Sequence, residues 1–169
     1  MKIGIKTAAL LALLLGSALS IHAQTLSGKV VAVQDGDTIT VLHENQQTRV
    51  RIAGIDAPEK KQAFGQHSKQ SMSDCAFGKD VEIEWKKLDR YGRTIGKVVA
   101  DGVDCGLRKI ELGMAWHYKA YAKEQARADR KAFAAKEDEA KADRRGLWSD
   151  ANPTPPWDFR HPKNAAIKP

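Results

Sequence analysis

The fold of this chain is constrained most by short segments in which every second residue is apolar. Four such segments contain Val31 and Val33, Ile39 and Val41, Val50 and Ile52, and Val81, Ile83 and Trp85. A fifth strand is predicted at about Thr94 to Ala100, where the chain then turns at Asp101-Gly102. Alternation with a period of two is typical of a strand that buries one face. The sequence therefore predicts five short strands around one core.

Three helices are predicted between and after these strands. Each predicted helix is followed by a glycine, a residue that commonly ends helices. They cover Phe64 to Cys75, a short segment marked by Leu107, Ile110 and Leu112, and about Lys123 to Arg145. Because the helices follow the third and fifth strands, we expect a mainly β protein with α (α+β). The predicted architecture is a five-stranded OB-type β-barrel with three helices.

Residues 1–23 are predicted to form a secretory signal peptide. Lys2 and Lys6 precede an apolar run from Ala8 to Leu15, and small residues follow it. The run is shorter than the roughly 20 residues that cross a bilayer. We therefore expect an exported protein, periplasmic or secreted, with no stable membrane association.

The folded domain is predicted to cover residues 24–150, and a tail of different composition follows in residues 151–169. The tail begins with several prolines and a tryptophan. This composition suits an extended strap that its aromatic side chains hold against the domain, followed by a frayed end. A proline-rich ligand for another protein is the alternative interpretation.

The charge of the chain favours a polyanionic partner. There are 28 Lys and Arg against 21 Asp and Glu, which gives a formal net charge of +7. A basic surface attracts nucleic acids and other polyanions, although surplus lysine also serves solubility alone. With 42% hydrophobic and 29% charged residues, the composition excludes a disordered or fibrous protein.

Cys75 and Cys105 are the two cysteines of the chain. In an exported protein such a pair predicts a disulfide, and two buried free thiols are the alternative. Neither cysteine belongs to a CxxC motif or a Cys/His cluster, so a zinc site and redox catalysis are excluded.

A first acidic cluster, Asp35-Gly36-Asp37-Thr38, lies between two predicted strands. An Asp-Gly turn explains its first two residues without any further function. Asp37 has the same strand parity as Ile39, so its carboxylate is predicted to point toward the barrel and to need a cation or hydrogen-bond donors. Ile39 stands where an EF-hand loop requires an oxygen ligand, which excludes that motif.

A second cluster extends from Arg51 to Glu59 at a predicted strand end. It contains one arginine and the carboxylates of Asp56 and Glu59, with Pro58 restricting the backbone between them. A salt bridge at a strand end, worth about 1 kcal/mol, is the simpler interpretation. Three charged groups within nine residues exceed what that interpretation requires.

The third cluster, Asp89-Arg90-Tyr91-Gly92-Arg93, forms a predicted turn between the fourth and fifth strands. Gly92 suits a left-handed turn position, while the arginines and Tyr91 suit contacts with phosphates and bases. Together the three clusters supply carboxylates for a hard divalent cation, a further carboxylate as a base, and guanidinium groups for a phosphate. This set is typical of a phosphodiesterase.

In order and spacing, these motifs resemble the thermonuclease (staphylococcal nuclease-like) family. The resemblance spans about Gly28 to Trp148 and ends at Gly146-Leu-Trp148. It implies an OB-type barrel with three helices and a Ca²⁺-dependent enzyme that hydrolyses DNA and RNA.

The resemblance also implies roles for individual residues. Asp37 and Asp56 match the family's calcium-binding carboxylates, and the backbone carbonyl of Ala57 matches a further ligand. Arg51 and Arg93 match the arginines that grip the scissile phosphate, and Glu59 matches the general base, which takes the proton or positions the water.

The substrate-binding residues implied by the resemblance lie in two places. Arg90 and Tyr91 match positions near a bound phosphate, and Tyr118 or Tyr121 would stack on a base. The segment between Trp116 and Lys123 is shorter than in the best-known members of the family. The protein is expected to be a monomer.

The alternative from another functional class is a noncatalytic OB-fold module that binds single-stranded nucleic acid or an anionic polysaccharide. Such a module uses Arg and Tyr. It has no use for Asp37, Asp56 and Glu59 beside a phosphate, because carboxylates repel that ligand unless a metal is bound.

Overall fold

The structure, a computed structural model, describes residues 24–161. The predicted signal peptide and the last residues of the predicted frayed end lie outside the described residues. The described strands are β1 (Gln24–Val33), β2 (Thr38–His43), β3 (Gln46–Ile52), β4 (Ile55–Asp56), β5 (Asp80–Leu88), β6 (Thr94–Ala100), β7 (Val103–Asp104) and β8 (Trp116–His117).

Five of these strands form the barrel. The main sheet has the order β3-β2-β1-β5-β6-β7, and β3 also pairs with β6 in parallel, which closes the sheet on itself. The short strands β4 and β8 form a separate antiparallel pair. The predicted five-stranded OB-type barrel with added helices is confirmed.

Within residues 24–161 there are four α-helices: α1 (Gly65–Ala76), α2 (Cys105–Glu111), α3 (Arg127–Ala142) and α4 (Pro156–Arg160). The predicted range of the third helix, about Lys123 to Arg145, is wrong at both ends. A separate 3₁₀ helix covers Lys119–Glu124, and Gln125 is extended after it. At the other end Arg144 has a φ of 54°, a left-handed conformation that stops the helix.

The C-terminal segment is only partly the extended strap that its composition predicts. Residues 156–160 form the short helix α4, which begins at Pro156. Proline is well suited to the first helical position because its missing N–H has no helical partner there.

The core fills the barrel with the apolar faces of the strands. Ile39, Val41, Val50 and Ile52 are buried as the alternation predicts. In β1 the buried residue is Val30, whereas Val31 and Val33 are only partly buried. The pairing of β1 with β2 is irregular between Val30 and Ala32, and such a bulge changes which side chains face inward.

The predicted disulfide between Cys75 and Cys105 is present, with a Cα–Cα distance of 5.9 Å. It joins the C-terminal part of α1 to the first residue of α2. Among residues 24–161, no helix combines the length and the apolar character needed to cross a membrane.

The three charged clusters meet at one end of the barrel because of the strand register. Thr38, which opens β2, lies opposite Arg51 near the end of β3. Arg51 in turn lies opposite Ile95 near the start of β6. Residues 35–38, 51–59 and 89–93 therefore approach one another across neighbouring strands.

Candidate active site

Arg51 joins two carboxylates at this end of the barrel. Its Nη2 atom lies 3.1 Å from Asp37 Oδ2 and 2.9 Å from Asp56 Oδ1. Its Nη1 atom donates to the carbonyl oxygens of Ile52 and Ile55 at 2.9 and 2.8 Å. These four contacts fix the guanidinium, so Asp37 and Asp56 converge on one nitrogen atom.

The carboxylate of Asp37 points inward and finds the donors that its position predicts. Its Oδ2 atom accepts the backbone N–H of Ala57 at 2.8 Å, and its Oδ1 atom accepts the hydroxyl of Thr38 at 3.1 Å. The backbone N–H of Asp37 is itself held by Asp35 Oδ1 at 3.1 Å. Burial and the nearby charge of Asp37 raise the pKa of Asp35.

Gly36 is required by close packing. A Cβ atom at this position would lie 2.1 Å from Ser68 Oγ and 2.6 Å from the Cβ of Ala57. The turn that carries Asp35 and Asp37 therefore rests directly on α1.

Asp56 is the most deeply buried carboxylate of the site, with 1% of its surface exposed. Burial raises its pKa, and the negative charge of Asp37 adds to this effect, while Arg160 and Arg51 oppose it. A buried carboxylate beside another carboxylate is stable only with compensating cations.

Arg160 supplies the second of these cations, and sequence reasoning missed it. Its Nη2 atom donates to Asp56 Oδ2 at 2.7 Å, and its Nη1 atom lies 3.3 Å from Asp56 Oδ1. The same Nη1 donates to Glu59 Oε1 at 2.7 Å. Glu59 thereby joins the site through a residue of the predicted tail. The available signal was the aromatic run at Trp157 and Phe159, which carries its neighbouring arginine onto the domain.

Arg93 approaches the site from the turn before β6. Its Nε atom donates to Asp89 Oδ2 at 2.7 Å, and its Nη1 lies 3.4 Å from Thr38 Oγ1, next to Asp37. Burial tends to raise the pKa of Asp89, but hydrogen bonds from the backbone and side chain of Arg93 and from the backbone of Tyr91 lower it overall. Gly92 has a φ of 75°, as the predicted left-handed turn requires.

Arg90 and Tyr91 lie at the outer part of the same turn. Tyr91 is 68% exposed, and the guanidinium carbons of Arg90 and Arg93 lie 4.9 and 5.5 Å from the centre of its ring. The structure thus groups these two residues around Arg93, on the solvent side of the buried carboxylates.

Tyr118 and Tyr121 lie next to the C-terminal segment. The ring of Tyr118 is stacked on Trp157, with centroids 5.6 Å apart and an interplanar angle of 18°. Burial raises the pKa of Tyr118, and so does the charge of Asp56. Tyr121 is 50% exposed, and Lys87 Nζ lies 5.6 Å from the centre of its ring. One face of Tyr118 is therefore covered, whereas Tyr121 remains open to solvent.

A further buried charge lies behind the site. Lys109 of α2 is inaccessible to solvent, and its ammonium group donates to the carbonyl oxygen and to the hydroxyl of Ser68. Burial lowers the pKa of Lys109 to about 7, against the attraction of Asp37 and Asp35. No sequence pattern marks this residue as buried, because a lysine in a short helix is usually exposed.

The oxygen atoms of the site suit a hard divalent cation. Asp37 and Asp56 are buried and both contact the Nη2 atom of Arg51, and the backbone of Ala57 directly follows Asp56. Ca²⁺ and Mg²⁺ prefer carboxylate and carbonyl oxygen ligands of this kind. Within residues 24–161, no group of three or more His, Cys, Asp or Glu side chains is arranged to hold a metal. A cation here would depend on two carboxylates together with backbone and water oxygens.

Comparison with known proteins adds independent information. Residues 49–150 match the family described as staphylococcal nuclease homologue. An uncharacterized endonuclease of Escherichia coli O157:H7 is 41% identical over 139 residues, which cover 82% of this chain and 87% of that protein. A micrococcal nuclease of Shigella flexneri is 44% identical over 148 residues, which cover 82% of this chain and 83% of that protein.

Proposed function

The chain belongs to the staphylococcal nuclease family, and from this we propose that it is an exported, Ca²⁺-dependent nuclease acting on DNA and RNA. The observation that carries the proposal is the convergence of Asp37 and Asp56 on one nitrogen of Arg51. Glu59 stands beside this pair through its shared contact with Arg160.

We assign the metal ligands to Asp37, Asp56 and the backbone carbonyl of Ala57. Two carboxylates and a carbonyl leave room for water and a phosphate oxygen among the six to eight ligands that Ca²⁺ accepts. When bound, the ion would supply positive charge to the phosphate and make a bound water more acidic.

Glu59 is assigned as the residue that orients a water molecule and takes its proton. Its side chain is 38% exposed, so solvent and substrate can both reach the carboxylate. The water oxygen forms a bond to phosphorus, the bond to the leaving oxygen breaks, and the water proton passes to Glu59.

Arg51 and Arg93 are assigned to the phosphate. They approach from neighbouring strands, and a planar guanidinium matches two phosphate oxygens. Their positive charge would stabilise the additional negative charge that develops in the transition state.

The substrate strand is proposed to pass over the turn at Arg90 and Tyr91 and toward Tyr121. These aromatic side chains are exposed and each has a cationic side chain near its ring. Exposed aromatic rings next to cations bind single-stranded nucleic acid without reading its sequence.

The direct test is cleavage of plasmid DNA and of a single-stranded RNA by the purified protein. We expect cleavage with Ca²⁺, loss of cleavage with chelator, and recovery when Ca²⁺ is added in excess. Cleavage that persists in chelator would contradict metal dependence. Recovery with Mg²⁺ but not with Ca²⁺ would assign the site to a different ion.

A further inference from the structure

The guanidinium of Arg160 contacts two carboxylates of the site: Asp56, which is assigned to metal binding, and Glu59, which is assigned as the base. It contacts both oxygens of Asp56, at 2.7 and 3.3 Å, and one oxygen of Glu59, at 2.7 Å. Asp56 Oδ1 also accepts from Arg51. Both oxygens of this buried carboxylate therefore already have a cationic partner.

This contact is built into the fold rather than made by a free side chain. Arg160 ends α4, and Trp157 of the same helix stacks on Tyr118 and meets Trp116 edge-on, with ring centroids 5.5 Å apart. The side-chain amide of Gln62 donates to the backbone carbonyl of Thr154. These contacts hold residues 154–160 over the loop that follows Glu59.

A guanidinium and a divalent ion compete for the same carboxylate. A guanidinium that spans both oxygens covers the edge through which a carboxylate binds a metal. The Arg160 guanidinium and a divalent ion at Asp56 would also repel each other. Burial increases this repulsion because water screens it less.

We propose that Arg160 is the resident counter-cation of the Asp56–Glu59 pair, and that a divalent cation binding at Asp56 must displace it. The inference rests on the proposed function, since it takes Asp56 to be a metal ligand. Residues 151–161 then set the metal affinity of the site, although they lie beyond the part of the chain that matches the family.

The test compares Ca²⁺ binding by calorimetry in the wild type, Arg160→Gln and a matched control, Arg108→Gln. Arg108 is half-exposed on α2 and pairs with Glu111, so its loss changes the net charge equally, away from the site. Competition predicts that Arg160→Gln binds Ca²⁺ about fivefold or more tightly than Arg108→Gln.

Trp157→Ala provides a second variant that leaves the charge unchanged. It loosens α4 and with it the placement of Arg160, so its Ca²⁺ affinity is also expected to rise. In chelator, Arg160→Gln is expected to melt below the wild type because Asp56 loses a cationic partner. Added Ca²⁺ is expected to raise its Tm by more than it raises that of the wild type.

Several results would overturn the proposal. Ca²⁺ affinity in Arg160→Gln that equals or falls below that of Arg108→Gln would make Arg160 neutral or supportive toward the metal. Absence of Ca²⁺ binding in both the wild type and Arg160→Gln would also overturn it. Failure of the proposed function has a different signature, namely no cleavage of plasmid DNA by the wild type.

Discussion

At the scale of single residues, burial gives the carboxylates of this site different chemical properties. Asp56 is 1% exposed, and burial raises its pKa, so it favours any cation that compensates its charge. Glu59 is 38% exposed, so its carboxylate is accessible to water. This difference supports a ligand role for Asp56 and a base role for Glu59.

Glu59→Gln is expected to lower turnover by about 10²–10⁴-fold, the usual contribution of a general base. The Tm should change little, because a partly exposed ion pair such as Glu59–Arg160 contributes only about 0–1 kcal/mol. Steady-state hydrolysis of plasmid DNA measures the first effect and thermal melting the second. Glu139→Gln, an exposed glutamate of α3 paired with Lys136, is the matched control. Turnover of Glu59→Gln close to that of the control would remove Glu59 from the base role.

Asp37→Ala is expected to weaken Ca²⁺ binding, because it removes one of two charged ligands. Asp37→Asn tests the charge more narrowly, since the amide oxygen can still accept the N–H of Ala57. Both variants should lose affinity in calorimetry, whereas Asp143→Ala, on the surface beside Arg145, should not. Affinity that is unchanged in Asp37→Ala would leave this residue with only its role in the turn.

At the scale of elements, the two helices behind the barrel support the acidic turn. Lys109 of α2 contacts Ser68 of α1, and Ser68 lies directly against Gly36. The position of the turn before β2 therefore depends on how α1 and α2 pack against each other.

The buried Lys109 predicts a pH-dependent stability. Its pKa in the folded protein is about 7, against a usual value of 10.5. Between these values the unfolded chain holds a proton that the native state lacks, so this group makes the protein more stable as pH rises from 7 to 10. Its destabilising effect is largest below pH 7.

Lys109→Met removes this dependence. Its stability advantage over the wild type should shrink from pH 7 to pH 9, by about 1.4 kcal/mol per pH unit at most. Urea unfolding at pH 7, 8 and 9 measures the difference, with Lys79→Met on the surface as control. A difference that stays constant with pH would mean that Lys109 keeps its proton in the native state throughout this range.

The strands could be predicted from sequence because alternation is a local signal that survives in the folded barrel. The inward direction of Asp37 followed from the same parity argument. The start of α3 could not be predicted, since the separate 3₁₀ helix before it has no periodic apolar pattern. The aromatic run indicates that the segment around Arg160 packs on the domain, but local patterns do not identify the partners of Arg160, because Asp56 and Glu59 lie about 100 residues earlier in the chain.

At the scale of the whole molecule, the Cys75–Cys105 disulfide ties α1 to α2 across 30 residues of sequence. Closing a loop of this length restricts the unfolded chain and stabilises the fold by about 3–4 kcal/mol. Reduction should therefore lower the Tm without abolishing cleavage, because neither cysteine is among the residues assigned to the metal, the phosphate or the base. Melting curves with and without reductant, together with plasmid cleavage, measure both effects. Two alkylated thiols in unreduced, exported protein would contradict the disulfide.

The parallel contact between β3 and β6 has a consequence for how activity is lost. It involves three residue pairs, and Arg51 belongs to one of them while Arg93 directly precedes β6. A fluctuation that opens this seam separates the two arginines but leaves the antiparallel ladders from β1 to β2 and from β1 to β5 intact. Local openings of this kind require less free energy than global unfolding. We therefore expect folded but inactive states in which this seam is open while the rest of the barrel stays intact.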